Sequence, residues 1–189
     1  MSVGQNKTAI LKKTGNVDLK PLRTETFVDI AMGSTGVEVY INTTHVSIHN
    51  YSLTCSYSFN KDVNGLKNIS CAQRQCWGID QSGSPVFMKP PSICPSHLYG
   101  QVPNLITEPK FTQIDTNIAG EVLAIERETS DVYYRVHGNS TDMKGSQWVN
   151  IPGIKLKSVA VGKDVIYGID TEGRLVFMSK LSPSLFFVS

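Results

Sequence analysis

Between Val159 and Met178, apolar and polar residues alternate at short range and are interrupted by glycine. This is the pattern of narrow strands, not of a helix. Val159-Ala160-Val161 predicts a strand that ends at Gly162, Val165–Ile169 predicts a second, and residues 174–178 predict a third. Between the last two, Asp170-Thr171-Glu172-Gly173 places Asp at the start and Gly at the end of a tight turn. Val, Ile, Tyr and Phe supply the strand positions, as the steric preferences of pleated chain require. No part of the chain shows a helical period, so the fold class is all-β.

The same plan recurs. Leu66 to Met88 lies over Leu156 to Met178 without gaps at an offset of 90 residues, with identities at Leu66 and Leu156, Lys67 and Lys157, Gly78 and Gly168, Ile79 and Ile169, Asp80 and Asp170, and Gly83 and Gly173. Diverged copies fall at Phe111 to Arg135 and at Phe27 to His49. Starts at Phe27, Leu66, Phe111 and Leu156 give a period of 39 to 45 residues, the length from which one propeller blade is built. A fourth, outer strand is expected before each start. Trp148-Val149-Asn150-Ile151-Pro152-Gly153 precedes Leu156, and Tyr99-Gly100-Gln101-Val102-Pro103-Asn104 precedes Phe111. Proline suits such a rim, where no ladder donor is needed.

The combination of W-x-x-I-P-G at Trp148, LKSVAVG at Leu156, aromatic-Gly-Ile-Asp at Trp77 and Tyr167, and the following x-G-x-L-V-F resembles the tectonin repeat of fish-egg lectins, tachylectin-like lectins of innate immunity and some intracellular adaptors. The resemblance implies one domain over residues 1–189, a β-propeller of about four blades. Relatives commonly close with five or six. In a four-bladed ring, residues 1–26 would supply a closing segment, with Thr8 to Leu19 as the strand that completes the last copy and removes its exposed edge.

Composition narrows the partners. A net charge of +2 is spread along the chain without a run that could track phosphates, which argues against nucleic acid. No apolar stretch reaches the roughly 18 residues needed for a membrane span, and Met1 to Lys20 lacks the apolar core of a signal peptide. Cys55, Cys71, Cys76 and Cys94 fall in one short region, as disulfide staples would. Three pairings are open. One joins Cys71 to Cys76 across a hairpin and leaves Cys55 for Cys94; reduced thiols in a cytosolic protein are the alternative. Their spacing does not suit zinc. Acceptor sequons at Asn6, Asn42, Asn50, Asn68 and Asn139 lean toward an extracellular setting, although Asn68 falls within a predicted strand.

Catalysis finds no support, because no nucleophile elbow, phosphate loop or Cys-His signature is present. His45 and His49 share only a strand face, and His97 and His137 stand apart. No cofactor or metal is expected. The resemblance implies glycan recognition, for which aromatic rings meet the C–H face of a sugar and planar polar groups meet its hydroxyls. The candidates are Trp77, Tyr133, Tyr134, Arg135, Trp148 and Tyr167, with Asp80, Asn150 and Asp170 as polar partners. Four of them have a plainer role beside it: Asp80 and Asp170 as turn-formers, Trp77 and Trp148 as packing between blades. The alternative function is a cytosolic protein-interaction scaffold. In the lectin reading several weak, equivalent glycan sites acting together would give avidity, and a homo-oligomer, in which another copy completes a partial ring, is the alternative to closure within one chain.

Overall fold

The alternating segments become antiparallel strands. The computed structural model describes residues 2–3, 9–11, 20–21, 28–32, 37–41, 45–50, 55–60, 65–72, 75–88, 109–136 and 144–179. Three short strands, β1 (Ser2–Val3), β2 (Ala9–Leu11) and β3 (Lys20–Pro21), open the chain. Blade 1 contains β4 (Asp29–Met32), β5 (Val37–Ile41), β6 (His45–Asn50) and β7 (Cys55–Asn60), and blade 2 contains β8 (Leu66–Cys71), β9 (Cys76–Asp80) and β10 (Pro85–Met88). Blade 3 contains β11 (Phe111–Thr116), β12 (Val122–Glu126), β13 (Asp131–Val136) and the first part of β14 (Gln147–Val161), and blade 4 the rest of β14 with β15 (Val165–Asp170) and β16 (Leu175–Ser179). Every sheet is a meander in which each strand pairs with the next in sequence. The expected strand at Tyr99 to Asn104, with Phe27, Cys94, His97, His137, Asn6, Asn42 and Asn139, lies outside the described residues.

Two expectations are refined. The Trp148 strand completes the preceding copy: Tyr134 pairs with Val149, Arg135 with Trp148 and Val136 with Gln147. Its continuation then pairs Val159 with Gly168 and Ala160 with Tyr167. The chain thus passes from the outer edge of blade 3 to the inner edge of blade 4 within β14, changing partner beyond Pro152-Gly153, where Gly153 has φ +78°. The second is a correction. Ala9–Leu11 does not complete the last copy, because β2 pairs on one side with β1 and on the other with β3, in a sheet of its own. Both its edges are filled; the rest of the expected closing strand, residues 12–19, lies outside the described residues.

The residues identical between copies hold one packing contact. Leu66 and Leu156, both buried, lie against Gly78 and Gly168 of the next strand. A Cβ on Gly78 would meet Leu66 Cδ1 at 3.0 Å, and one on Gly168 would meet Leu156 Cδ1 at 2.6 Å. The leucine fills the volume that glycine leaves, so the two are retained together.

Blades are joined by a second recurring device. At the third position of successive copies stand Asp29, Asn68 and Gln113. Asp29 Oδ2 accepts from the Ile69 N–H at 2.9 Å, Asn68 Oδ1 from the Ile114 N–H at 2.8 Å, and Gln113 Oε1 from the Val159 N–H at 3.1 Å. Two positions further on, Ser70 Oγ accepts from the Thr116 N–H at 3.2 Å and Asp115 Oδ2 from the Val161 N–H at 2.6 Å. Side chains of one blade therefore satisfy the free edge of the next, the edge that would otherwise be left unpaired. Asn68 Nδ2 also donates to Asp29 Oδ2 at 3.0 Å, which commits the nitrogen that a glycan would need.

Candidate functional site

Four of the nine candidate residues converge between blades 2 and 3. Alternation along β9 and β10 turns Trp77 and Phe87 toward blade 3, where Phe111, Tyr133 and Trp148 meet them. Ring centroids lie 5.1 Å apart for Trp77–Phe87, 5.7 Å for Trp77–Trp148, 4.8 Å for Phe111–Trp148 and 5.7 Å for Phe111–Tyr133. The Arg135 guanidinium is buried between the two indoles, 5.5 Å from the Trp77 ring and 5.2 Å from the Trp148 ring. It donates to the carbonyls of Lys144 at 2.9 Å and Gly145 at 3.2 Å. Desolvated in this way, the cation–π contacts hold the blades together. Asn150 lies beside the cluster, paired in register with Tyr133. Tyr134 points to the other face, into the blade 3–4 core with Leu123 and Ile166. Burial, with the nearby Glu121 charge, raises its phenol above the ordinary value.

Asp80 and Asp170 begin equivalent turns. Asp80 Oδ1 accepts from the Ser84 N–H and from Ser82 Oγ, both at 2.7 Å, and Asp170 Oδ1 accepts from the N–H groups of Glu172 at 2.9 Å and Arg174 at 2.8 Å. The Asp170 carboxyl is held below its ordinary range by the Arg174 backbone N–H, against a smaller opposing effect of burial, with help from the Arg174 guanidinium 2.7 Å away. Gly83 and Gly173 take the left-handed conformation at φ +91° and +86°; in blade 3 Ser130 takes it at φ +64°, and Glu126 does the capping by accepting from the Glu128 and Thr129 N–H groups.

Asp170 lies on the wall of a cleft of about 500 Å3 at the blade 3–4 boundary. Ile154, Leu156, Val176 and Met178 give it an apolar floor, while Lys155, Glu172 and Arg174 add charge to its rim. Arg174 pairs with both Asp170 and Glu172. These rim residues were not singled out from the sequence, although the charged run Asp170 to Arg174 within an otherwise apolar copy is a readable signal. Tyr167 lies on the opposite face of the sheet, 46% exposed, beside Phe177, which is 75% exposed. Their ring centroids are 6.4 Å apart.

Cys71 and Cys76 form a disulfide across the β8–β9 pair, the first of the pairings open in the sequence. Among the described residues no group of three His, Cys, Asp or Glu side chains is placed to hold a metal ion, and no helix is long and apolar enough to cross a membrane.

The profile of the tectonin domain matches residues 31–171. The chain belongs to the tectonin family. Solved structures similar to this tectonin chain are β-propellers. U3-55K is 6% identical at a TM-score of 0.65, covering 94% of this chain and 56% of that one. Prp20p of Saccharomyces cerevisiae is 10% identical at 0.57, covering 91% and 53%. The computationally designed Ika4 protein is 7% identical at 0.58, covering 83% and 92%. The tectonin chain therefore spans little more than half of the two natural propellers and most of the designed one. At these identities the likeness concerns the fold. Among curated protein sequences there is no significant match.

Proposed function

We propose that this tectonin chain is a non-enzymatic carbohydrate-binding module, a lectin acting outside the cell on microbial or cell-surface saccharides. The cleft rimmed by Asp170, Glu172, Arg174 and Lys155 carries this reading. Its volume suits one or two sugar rings, its aliphatic floor suits the C–H face of a pyranose, and the carboxylates and guanidinium suit vicinal hydroxyls. The Cys71–Cys76 disulfide favours an oxidising compartment. A glycan array with purified protein, repeated with Glu172→Ala, tests the reading. Saccharides bound by the native chain should be lost or weakened about tenfold by the substitution. Absence of binding to every neutral and charged glycan at high density would refute it.

A second reading is supported by a different observation. Tyr167, Leu175 and Phe177 present exposed apolar surface on one face of blade 4. Such a face suits a protein partner or another blade-like sheet, the scaffold role, and a cross-linking mass measurement that places a partner on Phe177 would favour it over the lectin.

A further inference from the structure

The junctions between blades 2 and 3 and between blades 3 and 4 are built alike and differ in charge. At each, the first N–H of the inner strand donates to the carbonyl of the left-handed residue in the preceding blade's turn: Phe111 to Gly83 at 2.8 Å, Leu156 to Ser130 at 2.9 Å. The residue just before that N–H is a lysine at both junctions, and each lysine reaches back to the residue that follows the left-handed one. At the later junction that residue is Asp131, and Lys155 Nζ lies 2.8 Å from its carboxylate. At the earlier junction it is Ser84, and Lys110 Nζ meets only its hydroxyl, at 2.6 Å.

A second cation stands at the earlier junction. The Arg127 guanidinium lies over Gly83, so close that a Cβ there would be 2.5 Å from Nη2, and its backbone N–H donates to the Lys110 carbonyl at 2.7 Å. The Lys67 ammonium pKa is lowered by burial first and by the Arg127 charge second, with the Asp80 carboxylate opposing, so this junction has one carboxylate among its charges. Asp80 is committed to its own turn through Ser82 and Ser84. Among the described residues none of Lys67, Lys110 and Arg127 forms an ion pair. Lys110 and Arg127, two cations at one turn with no ion pair of their own, repel each other, and an anion between them would relieve that repulsion.

We propose that Lys110 and Arg127 form a binding site for a sulfate or phosphate monoester group carried by a saccharide. A planar guanidinium and an ammonium group match a tetrahedral oxyanion, Arg127 by paired donors and Lys110 as a point charge. This site is separate from the Asp170 cleft and stands whether or not that cleft binds neutral sugars. Titration calorimetry at constant ionic strength would compare sodium sulfate, galactose 6-sulfate and galactose against the native chain, Ser84→Asp, and Lys110→Gln with Arg127→Gln. Ser84→Asp sets a carboxylate where the later junction has one, filling the site from within, and thermal unfolding of the variant checks that the fold is kept at this buried position. Native protein is expected to bind sulfate and galactose 6-sulfate and not galactose, and both variants to bind them on the order of tenfold more weakly. Equal binding by the native chain and both variants overturns the assignment, as does sulfate binding without galactose 6-sulfate binding, or no binding of either anion by the native chain. Loss of neutral-glycan binding on the array leaves these outcomes unchanged.

Discussion

Blades 2 and 4 carry the same row of residues on one face of the sheet, and among the described residues only blade 2 has it covered. Trp77 pairs with Phe87 in blade 2, and Tyr167 pairs with Phe177 in blade 4, each pair at the same register and 90 residues apart. Trp77 and Phe87 are 1% and 9% exposed beneath blade 3; Tyr167 and Phe177 are 46% and 75% exposed. Blade 3 makes the intermediate case, since Leu123 and Tyr134 occupy the same row and pack into the blade 3–4 core. The row is thus a docking surface by construction. An aromatic in it is a structural anchor where a neighbour arrives, and accessible apolar surface where none of the described residues does.

Truncation separates the two faces most sharply. Trp77→Ala should cost about 3–5 kcal/mol, read from urea unfolding, because the indole is shared among Phe87, Trp148 and Arg135. Tyr167→Ala should stay within about 0.5 kcal/mol. A loss at Tyr167 comparable to that at Trp77 would mean that something covers blade 4 in solution.

The glycine contacts give a smaller contrast. Gly168→Ala, with its Cβ driven to 2.6 Å from Leu156, should destabilise by about 1–3 kcal/mol, and Gly78→Ala, at 3.0 Å from Leu66, by less. The reverse order in thermal unfolding would show that blade 2 is the more tightly filled of the two.

The smallest effect is a dependence on pH. Burial raises the Asp115 carboxyl above 3.8, against hydrogen bonds from Ser70 and from the Val161 and Thr116 N–H groups. A carboxyl raised on folding favours the folded state below its unfolded value, and that contribution is lost as pH rises through the folded value. Acidification toward pH 3.8 should therefore stabilise the native chain relative to Asp115→Asn. A stability difference that is flat over this range would place Asp115 in contact with water.

Much of the fold was legible because the repeat is enforced by packing. Leu66 with Gly78 and Leu156 with Gly168 are lock-and-void pairs, so both members recur and the offset can be read directly. The ownership of the Trp148 strand was not legible, since order along the chain does not say which neighbour a strand bonds, and both readings bury the same apolar positions. The inter-blade ladder also escaped notice. Asp29, Asn68 and Gln113 differ in type, and only their common ability to accept a backbone N–H at one position of the copy unites them. The candidate site was read from residue chemistry, which gives no information about burial. Trp77 and Arg135 have the composition of a sugar platform and the surroundings of a core, whereas the charged rim at Glu172 and Arg174 looked like an ordinary turn.

β14 has a mechanical implication. One covalent backbone forms the last rail of blade 3 and the first rail of blade 4, with no slack loop between them, so a load applied to either sheet travels along the strand into the other. Scission at Pro152-Gly153 would remove this covalent path and leave the two sheets joined only by hydrogen bonds and core packing, whereas scission at a turn within a blade would leave the path intact.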